Sequence, residues 1–173
     1  MTSNASGAAG FLDWCVVAAG AAVAGIVDLV YAVMFVRPAG MPAIIVPQSI
    51  ASGVLGMAAF RGGGTSAALG IALHFAILLV AAAIYFRAGR RLTALVARPL
   101  SSGLLYGLAF YLFMHGVVLP LSRAPHFKSA PLTMAADLLV HVILIGPIIA
   151  LAAYRAWARQ RAPASSSEHL KTP

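Results

Sequence analysis

The sequence predicts an all-α integral membrane protein, and two observations support this prediction. Of its 173 residues, 61% are hydrophobic and only 9% are charged. A soluble domain carries about 25% charged residues, so this chain has too few to cover a surface in water. The hydrophobic residues are also gathered into long runs, and about 20 helical residues cross the hydrocarbon core of a bilayer. We therefore expect a four-helix antiparallel transmembrane bundle.

Four apolar runs are long enough to span a bilayer and form a single predicted transmembrane domain over residues 14–154. The predicted spans cover residues 14–36, 65–86, 100–121 and 132–154. The first run lacks the basic region of a secretory signal and is longer than the apolar part of one, so we interpret it as a retained span. Residues 1–13 are predicted to form a disordered N-terminal tail, and residues 155–173 a cytoplasmic tail with a disordered end.

The segment "MPAIIVPQSIASGVLGMAAF" (41–60) is apolar but contains a proline near its middle. Pro47 suits the first turn of a helix and would break one that began earlier. A helix over residues 47–60 would be roughly 20 Å long, too short for a hydrocarbon core of about 30 Å. We expect a short re-entrant or interfacial helix near 47–60, and a fifth span is the alternative.

The distribution of basic residues predicts the orientation. With four spans, eight of the 12 Lys and Arg residues fall on one side, in residues 87–98 and 155–171. Cytoplasmic loops carry the excess of Lys and Arg, so we expect a multi-pass protein of the bacterial inner (plasma) membrane with both termini in the cytoplasm. Five spans would place nine basic residues inside with the N-terminus outside, so this count alone leaves the alternative open.

Five ionisable residues lie inside the predicted spans: Asp28, His74, His115, Asp137 and His141. Counted from the outer span ends at about 1.5 Å per residue, they lie roughly 8–13 Å deep. Every span contributes to this layer, which falls in the outer, periplasmic half. We expect these five residues to form one cluster.

Residues four apart form a ridge along a helix, and three such ridges join the polar residues to small ones. They are Gly20-Ala24-Asp28-Ala32, Ser66-Gly70-His74 and Gly103-Gly107-Tyr111-His115. Small residues mark places where membrane helices approach closely. The ridges therefore predict that the polar side chains point into the bundle.

A charged side chain at the centre of a span costs about 2.5–3.5 kcal/mol, so Asp28 and Asp137 must be protonated, paired or hydrated. A histidine on a neighbouring helix is the expected partner of each, and Asp137 can also hold His141, four residues on. Three uses of the layer stay open: packing of the helices, a proton or ion relay, and a metal or haem site. In the last, His74, His115 and His141 would be the ligands, with the carboxylates binding the metal directly or supporting its ligands.

Other classes of function lack support in the sequence. The basic residues form no stripe interleaved with aromatics, which argues against binding nucleic acid. The single cysteine, Cys15, excludes an internal disulfide and a cysteine-based metal cluster. No HExxH, CxxCH or Ser-His-Asp pattern occurs, so we assign no catalytic residue and do not expect an established enzyme. The expected partner is the lipid bilayer, and a homo-oligomer or a membrane partner stays open.

Residues 70–155 resemble the YagU-like bacterial inner-membrane proteins, a family of unknown function. The resemblance rests on "LHFAILLVAAAIY", on "MHGVVLPL" at the end of a Gly-rich span, and on "ADLLVHVILIGPIIALAAYR". It implies the multi-pass architecture and makes His74, His115, Asp137 and His141 the positions to test. The region between the first two spans is shorter here than in that family. The family supplies no reaction.

Overall fold

The computed structural model describes residues 3–125 and 130–161, and the regular structure in these residues is entirely helical. Four helices are long and apolar enough to cross a membrane, which confirms the predicted fold class. These spans, numbered in chain order, are Gly10–Ala39, Gly63–Gly89, Pro99–Leu121 and Pro131–Arg161. The predicted tail beyond residue 161 lies outside the described residues.

Within and between the spans the described residues form eight α-helices. They are α1 (Ser3–Val36), α2 (Ile45–Leu55), α3 (Gly63–Gly89), α4 (Thr93–Ala97), α5 (Pro99–Phe113), α6 (Leu119–Leu121), α7 (Pro131–Val140) and α8 (Gly146–Arg161). Helix α1 begins well before the predicted start at residue 14. The segment expected to be a disordered tail contains three alanines, which favour a helix, and no proline, which would break one.

Helix α2 is the short helix expected near residues 47–60. It has 11 residues, a length of about 16 Å, and cannot cross the bilayer, so the fifth-span alternative is wrong. Gln48 fixes it to α3, because its Nε2 donates a hydrogen bond to the carbonyl of Gly63 at 3.2 Å. Gly70 in α3 has no side chain, and the backbone of Pro47 occupies the space that a Cβ would need.

The fourth span packs along both the first and the third spans, and the first also packs on the second. At the end of the bundle that holds α4, the rings of Phe86 and Trp157 stack with centroids 5.8 Å apart. There Gln160 also donates a hydrogen bond to the carboxylate of Asp13 over 2.7 Å. We call this end the α4 end and the opposite one the α2 end.

The predicted small-residue ridges lie at the helix crossings. Gly20 lies against Ala152 of the fourth span, and Gly107 lies against the backbone of His141. Gly146 contacts the backbones of Gly103 and Gly107, so the third and fourth spans meet almost backbone to backbone. The expectation that these ridges face the bundle is confirmed.

The third and fourth spans each contain one π-helical turn, Met114–Val118 and His141–Ile145. In the fourth span the N–H of Gly146 bonds to the carbonyl of His141, five residues back. Each turn ends two residues before a proline, Pro120 or Pro147. Since proline lacks an N–H and its ring crowds the carbonyl four residues earlier, each widened turn lies where proline interrupts the regular hydrogen-bond pattern.

Candidate functional site

The first pair in the site joins the first and second spans. Nδ1 of His74 lies 3.9 Å from Oδ2 of Asp28, and the imidazole is only 5% exposed. Its other nitrogen, Nε2, lies 3.0 Å from the carbonyl oxygen of Gly25. A side chain at Gly25 would strike the ring of Phe75, so glycine lets the two spans approach closely enough for this contact.

The second pair joins the third and fourth spans. Nε2 of His115 lies 3.3 Å from Oδ2 of Asp137, and Nδ1 lies 3.1 Å from the carbonyl oxygen of Tyr111. The ring of Tyr111 stacks on His115 with centroids 4.1 Å apart. Asp137 also contacts His141 within its own helix, with 3.4 Å between Oδ1 and Nδ1. The expected pairing of each carboxylate with a histidine of another span is therefore present.

A group of three residues connects the two pairs. Asp28, Asp137 and His141 each offer one ligand atom, and these atoms lie within 4.8 Å of one another. The group combines two carboxylate oxygens and one ring nitrogen, contributed by the first and fourth spans. Among the described residues these three offer atoms close enough together to contact one ion, and of the three histidines predicted as ligands only His141 belongs to this group.

A backbone carbonyl fixes the tautomer of each histidine. The nitrogens that contact carbonyls are Nε2 of His74, Nδ1 of His115 and Nδ1 of His141, the last over 2.9 Å to Asp137. A carbonyl only accepts hydrogen bonds, so each of these nitrogens carries a proton. In a neutral ring the other nitrogen holds a lone pair, which for His74 and His115 faces a carboxylate. Two acceptors repel, so the cluster requires protons or another cation.

The cluster borders a chamber of about 610 Å³ at the α2 end. Asp28, His115, Asp137 and His141 line it, together with the hydroxyl-bearing residues Ser49 and Ser52 of α2. His74 is not among the residues that line the chamber, although its partner Asp28 is. The chamber gives a ligand room to reach the carboxylates.

Two features of the site were not expected from the sequence. The hydroxyl of Tyr31, one turn after Asp28, is buried and has no hydrogen-bond partner among the described residues. A buried polar group without a partner is rare, and a water or ion frequently supplies the missing contact. The second feature is the π-helical turns, which contain His115 and His141; such turns are frequent at functional sites.

Sequence signals for these features exist but are weak. His115 and His141 each precede a proline by five or six residues in an apolar span, as "HGVVLP" and "HVILIGP". Tyr31 carries no signal beyond its position three residues after Asp28.

Comparison with known proteins does not identify the function of the site, since no family model, curated protein or solved structure matches the chain.

Proposed function

We propose that this multi-pass membrane protein binds one divalent cation through Asp28, Asp137 and His141. The observation that supports the proposal most directly is the convergence of their three ligand atoms within 4.8 Å beside a chamber. Carboxylate oxygens combined with an imidazole suit divalent ions such as Mn²⁺, Fe²⁺ and Zn²⁺. The donor set of the proposed site is therefore that of a first-row transition metal.

The hydrogen bond of His141 supports a role as a ligand. A histidine that binds a metal almost always donates its other ring N–H to a carbonyl or carboxylate. Nδ1 of His141 makes this contact with the backbone of Asp137, which leaves the lone pair of Nε2 for the metal. His115 would in turn hold Asp137 through its contact with Oδ2.

Charge balance explains how one cation can replace protons in this cluster. Two ionised carboxylates inside a membrane need two positive charges nearby, because an unpaired charge there costs about 2.5–3.5 kcal/mol. Two protonated imidazoles supply these charges, and one divalent ion carries the same total charge. A metal ion displaces the Nε2 proton of His141 when it binds, so the affinity falls as the pH is lowered.

A relay that carries protons across the membrane has less support. Between the cluster and the α4 end the described core is packed with apolar side chains, among them Val17, Leu78 and Ile149. A conducting path would need polar groups or water through this layer. The arrangement favours a binding site that opens at one end.

The test measures metal bound to the purified full-length protein in detergent, by mass spectrometry of the elements after loading with Mn²⁺ or Zn²⁺. We expect one ion per chain, and Asp137→Asn should lower the affinity more than about 100-fold, beyond the loss caused by changing a supporting residue. Asp13→Asn is the matched control, because Asp13 is a buried carboxylate at the α4 end. Equal metal content in both variants would overturn the proposal.

The second candidate is a structural or assembly-partner protein in which the polar residues only fix helix packing. The Asp28–His74 contact favours it, because this pair ties the first span to the second and His74 does not line the chamber. Interhelical hydrogen bonds in membranes contribute about 0.6 kcal/mol on average. This candidate predicts no bound metal and equal losses of stability in Asp28→Asn and His74→Ala.

We also propose the location and the family. The excess of basic residues at the α4 end supports an inner bacterial membrane with both termini in the cytoplasm. The chamber would then open toward the periplasm. The order of features over residues 70–155 supports membership of the YagU-like family.

A further inference from the structure

A long apolar groove runs between the second and third spans and adjoins the chamber. The groove has a volume of about 630 Å³ and is lined almost entirely by aliphatic and aromatic side chains. Groove and chamber share four lining residues, Leu73, Ile77, Met114 and Val118. The two spaces therefore lie side by side, and we call them together the cleft, which is polar at the chamber and apolar along the groove.

The groove has the length and direction of a lipid chain. Along the second span its lining extends from Leu73 to Ile84, which corresponds to about 16 Å of helix. It runs from the cluster toward the α4 end, nearly parallel to the spans. A lipid with its head at the cluster would therefore lie as an outer-leaflet lipid does in the proposed topology, with its chain directed inward.

We propose that this cleft binds a single-chain lipid whose small head group is uncharged and carries a hydroxyl, such as a long-chain alcohol. The apolar groove accepts the chain, and the hydroxyl reaches the cluster. A hydroxyl can donate to the carboxylate of Asp137, or bind the cation. The head-group part of the inference rests on the proposed function, whereas the groove for the chain does not.

The chemistry of the cluster selects this head group. A phosphate head would place further negative charge beside Asp28 and Asp137, at a depth where charge is costly. A quaternary ammonium head would add positive charge beside carboxylates that the cation already balances, and it could not donate a hydrogen bond. A hydroxyl needs no counter-charge and can donate to a carboxylate.

A second groove supplies an internal control. It lies between the first and fourth spans, has a similar volume of about 670 Å³, and contains Ala19 in its wall. It shares no lining residue with the chamber among the described residues. Bulk lipid reaches both grooves, but only the groove beside the chamber adjoins carboxylates and imidazoles, whereas Arg155 and Arg159 line the second groove.

The experiment uses the full-length protein in phosphatidylcholine nanodiscs with a photoreactive diazirine analogue of hexadecan-1-ol. We expect labelling in residues 73–84 and 106–118. Ala109→Trp, which fills the groove beside the chamber, should lower labelling at least tenfold. Ala19→Trp fills the other groove and should leave this labelling unchanged, and both variants should keep the metal content of the wild-type chain.

Equal labelling in the two grooves, or labelling unaffected by Ala109→Trp, would overturn the inference and leave the cation site standing. Stronger competition by lysophosphatidic acid than by hexadecan-1-ol would overturn the choice of head group. Groove-specific labelling of a protein that binds no metal would overturn the proposed cation site but support the groove.

Discussion

At the scale of single residues, hydrogen bonds to the backbone determine what each histidine can do. His115 donates to the carbonyl of Tyr111, so its Nε2 is the atom that meets Asp137. This contact holds the carboxylate toward the chamber without making His115 one of the three ligands. Mutation of a residue that orients a metal ligand in this way usually lowers metal affinity by about 10–100-fold.

We therefore predict that His115→Ala weakens metal binding by about 10–100-fold, less than Asp137→Asn does. The dissociation constant can be measured by competition with a fluorescent chelator, and His115→Gln should recover part of the loss because an amide can still donate to Asp137. A loss of metal affinity as large as that of Asp137→Asn would instead indicate that His115 binds the metal directly.

The sequence identifies the ionisable residues but not the set that converges. Asp28 and Asp137 are conspicuous because each interrupts an apolar run, and a carboxylate in lipid needs a partner. Which imidazoles join them depends on side-chain rotamers and local contacts. His74 is turned onto the carbonyl of Gly25, and neither periodicity nor depth could predict that contact.

At the scale of helices, the close crossing of the third and fourth spans positions the site. Gly107 lies against the backbone of His141, the first residue of a π-helical turn. The crossing thus sets the height and rotation of the helix segment that carries both His141 and Asp137. The small-residue ridge predicted the crossing, but hydropathy contains no signal for the π-helical turn.

Gly107→Ala should consequently damage the site without abolishing the fold. An added methyl group would collide with the carbonyl of His141, and overpacking of this kind costs about 1–3 kcal/mol. We expect a lower unfolding midpoint in detergent, followed by circular dichroism, together with weaker metal binding.

The control is Gly10→Ala, since a Cβ at Gly10 would meet no atom within 4 Å. This variant should retain the wild-type midpoint and the wild-type metal content. If Gly107→Ala matches it in both measurements, the glycine crossing does not position His141.

At the scale of the whole molecule, composition and span length were sufficient to predict the four-span architecture. The low charge content excluded a water-soluble fold, and Pro47 correctly marked a helix too short to cross. The sequence could not predict how α2 folds back, because that depends on the buried contact of Gln48 with Gly63. Hydropathy also gives no signal for the chamber, because a cavity depends on how far apart the packed helices lie.

The proposed topology predicts opposite accessibility at the two ends of the bundle. In a Cys15→Ala background, Ser122→Cys at the α2 end should react with a membrane-impermeant maleimide in whole bacterial cells. Thr93→Cys at the α4 end should react only after lysis. Labelling of Thr93→Cys in intact cells, with Ser122→Cys protected, would show that the orientation is the reverse of the proposed one and that the chamber opens toward the cytoplasm.

The central claim is that Asp28, Asp137 and His141 together hold one divalent cation. X-ray absorption at the zinc edge of the loaded protein tests it most directly. We predict oxygen and nitrogen ligands at about 2.0–2.2 Å with the outer-shell scattering of one imidazole, which His141→Ala should remove. A spectrum of oxygen ligands alone, or one unchanged by His141→Ala, would contradict the claim.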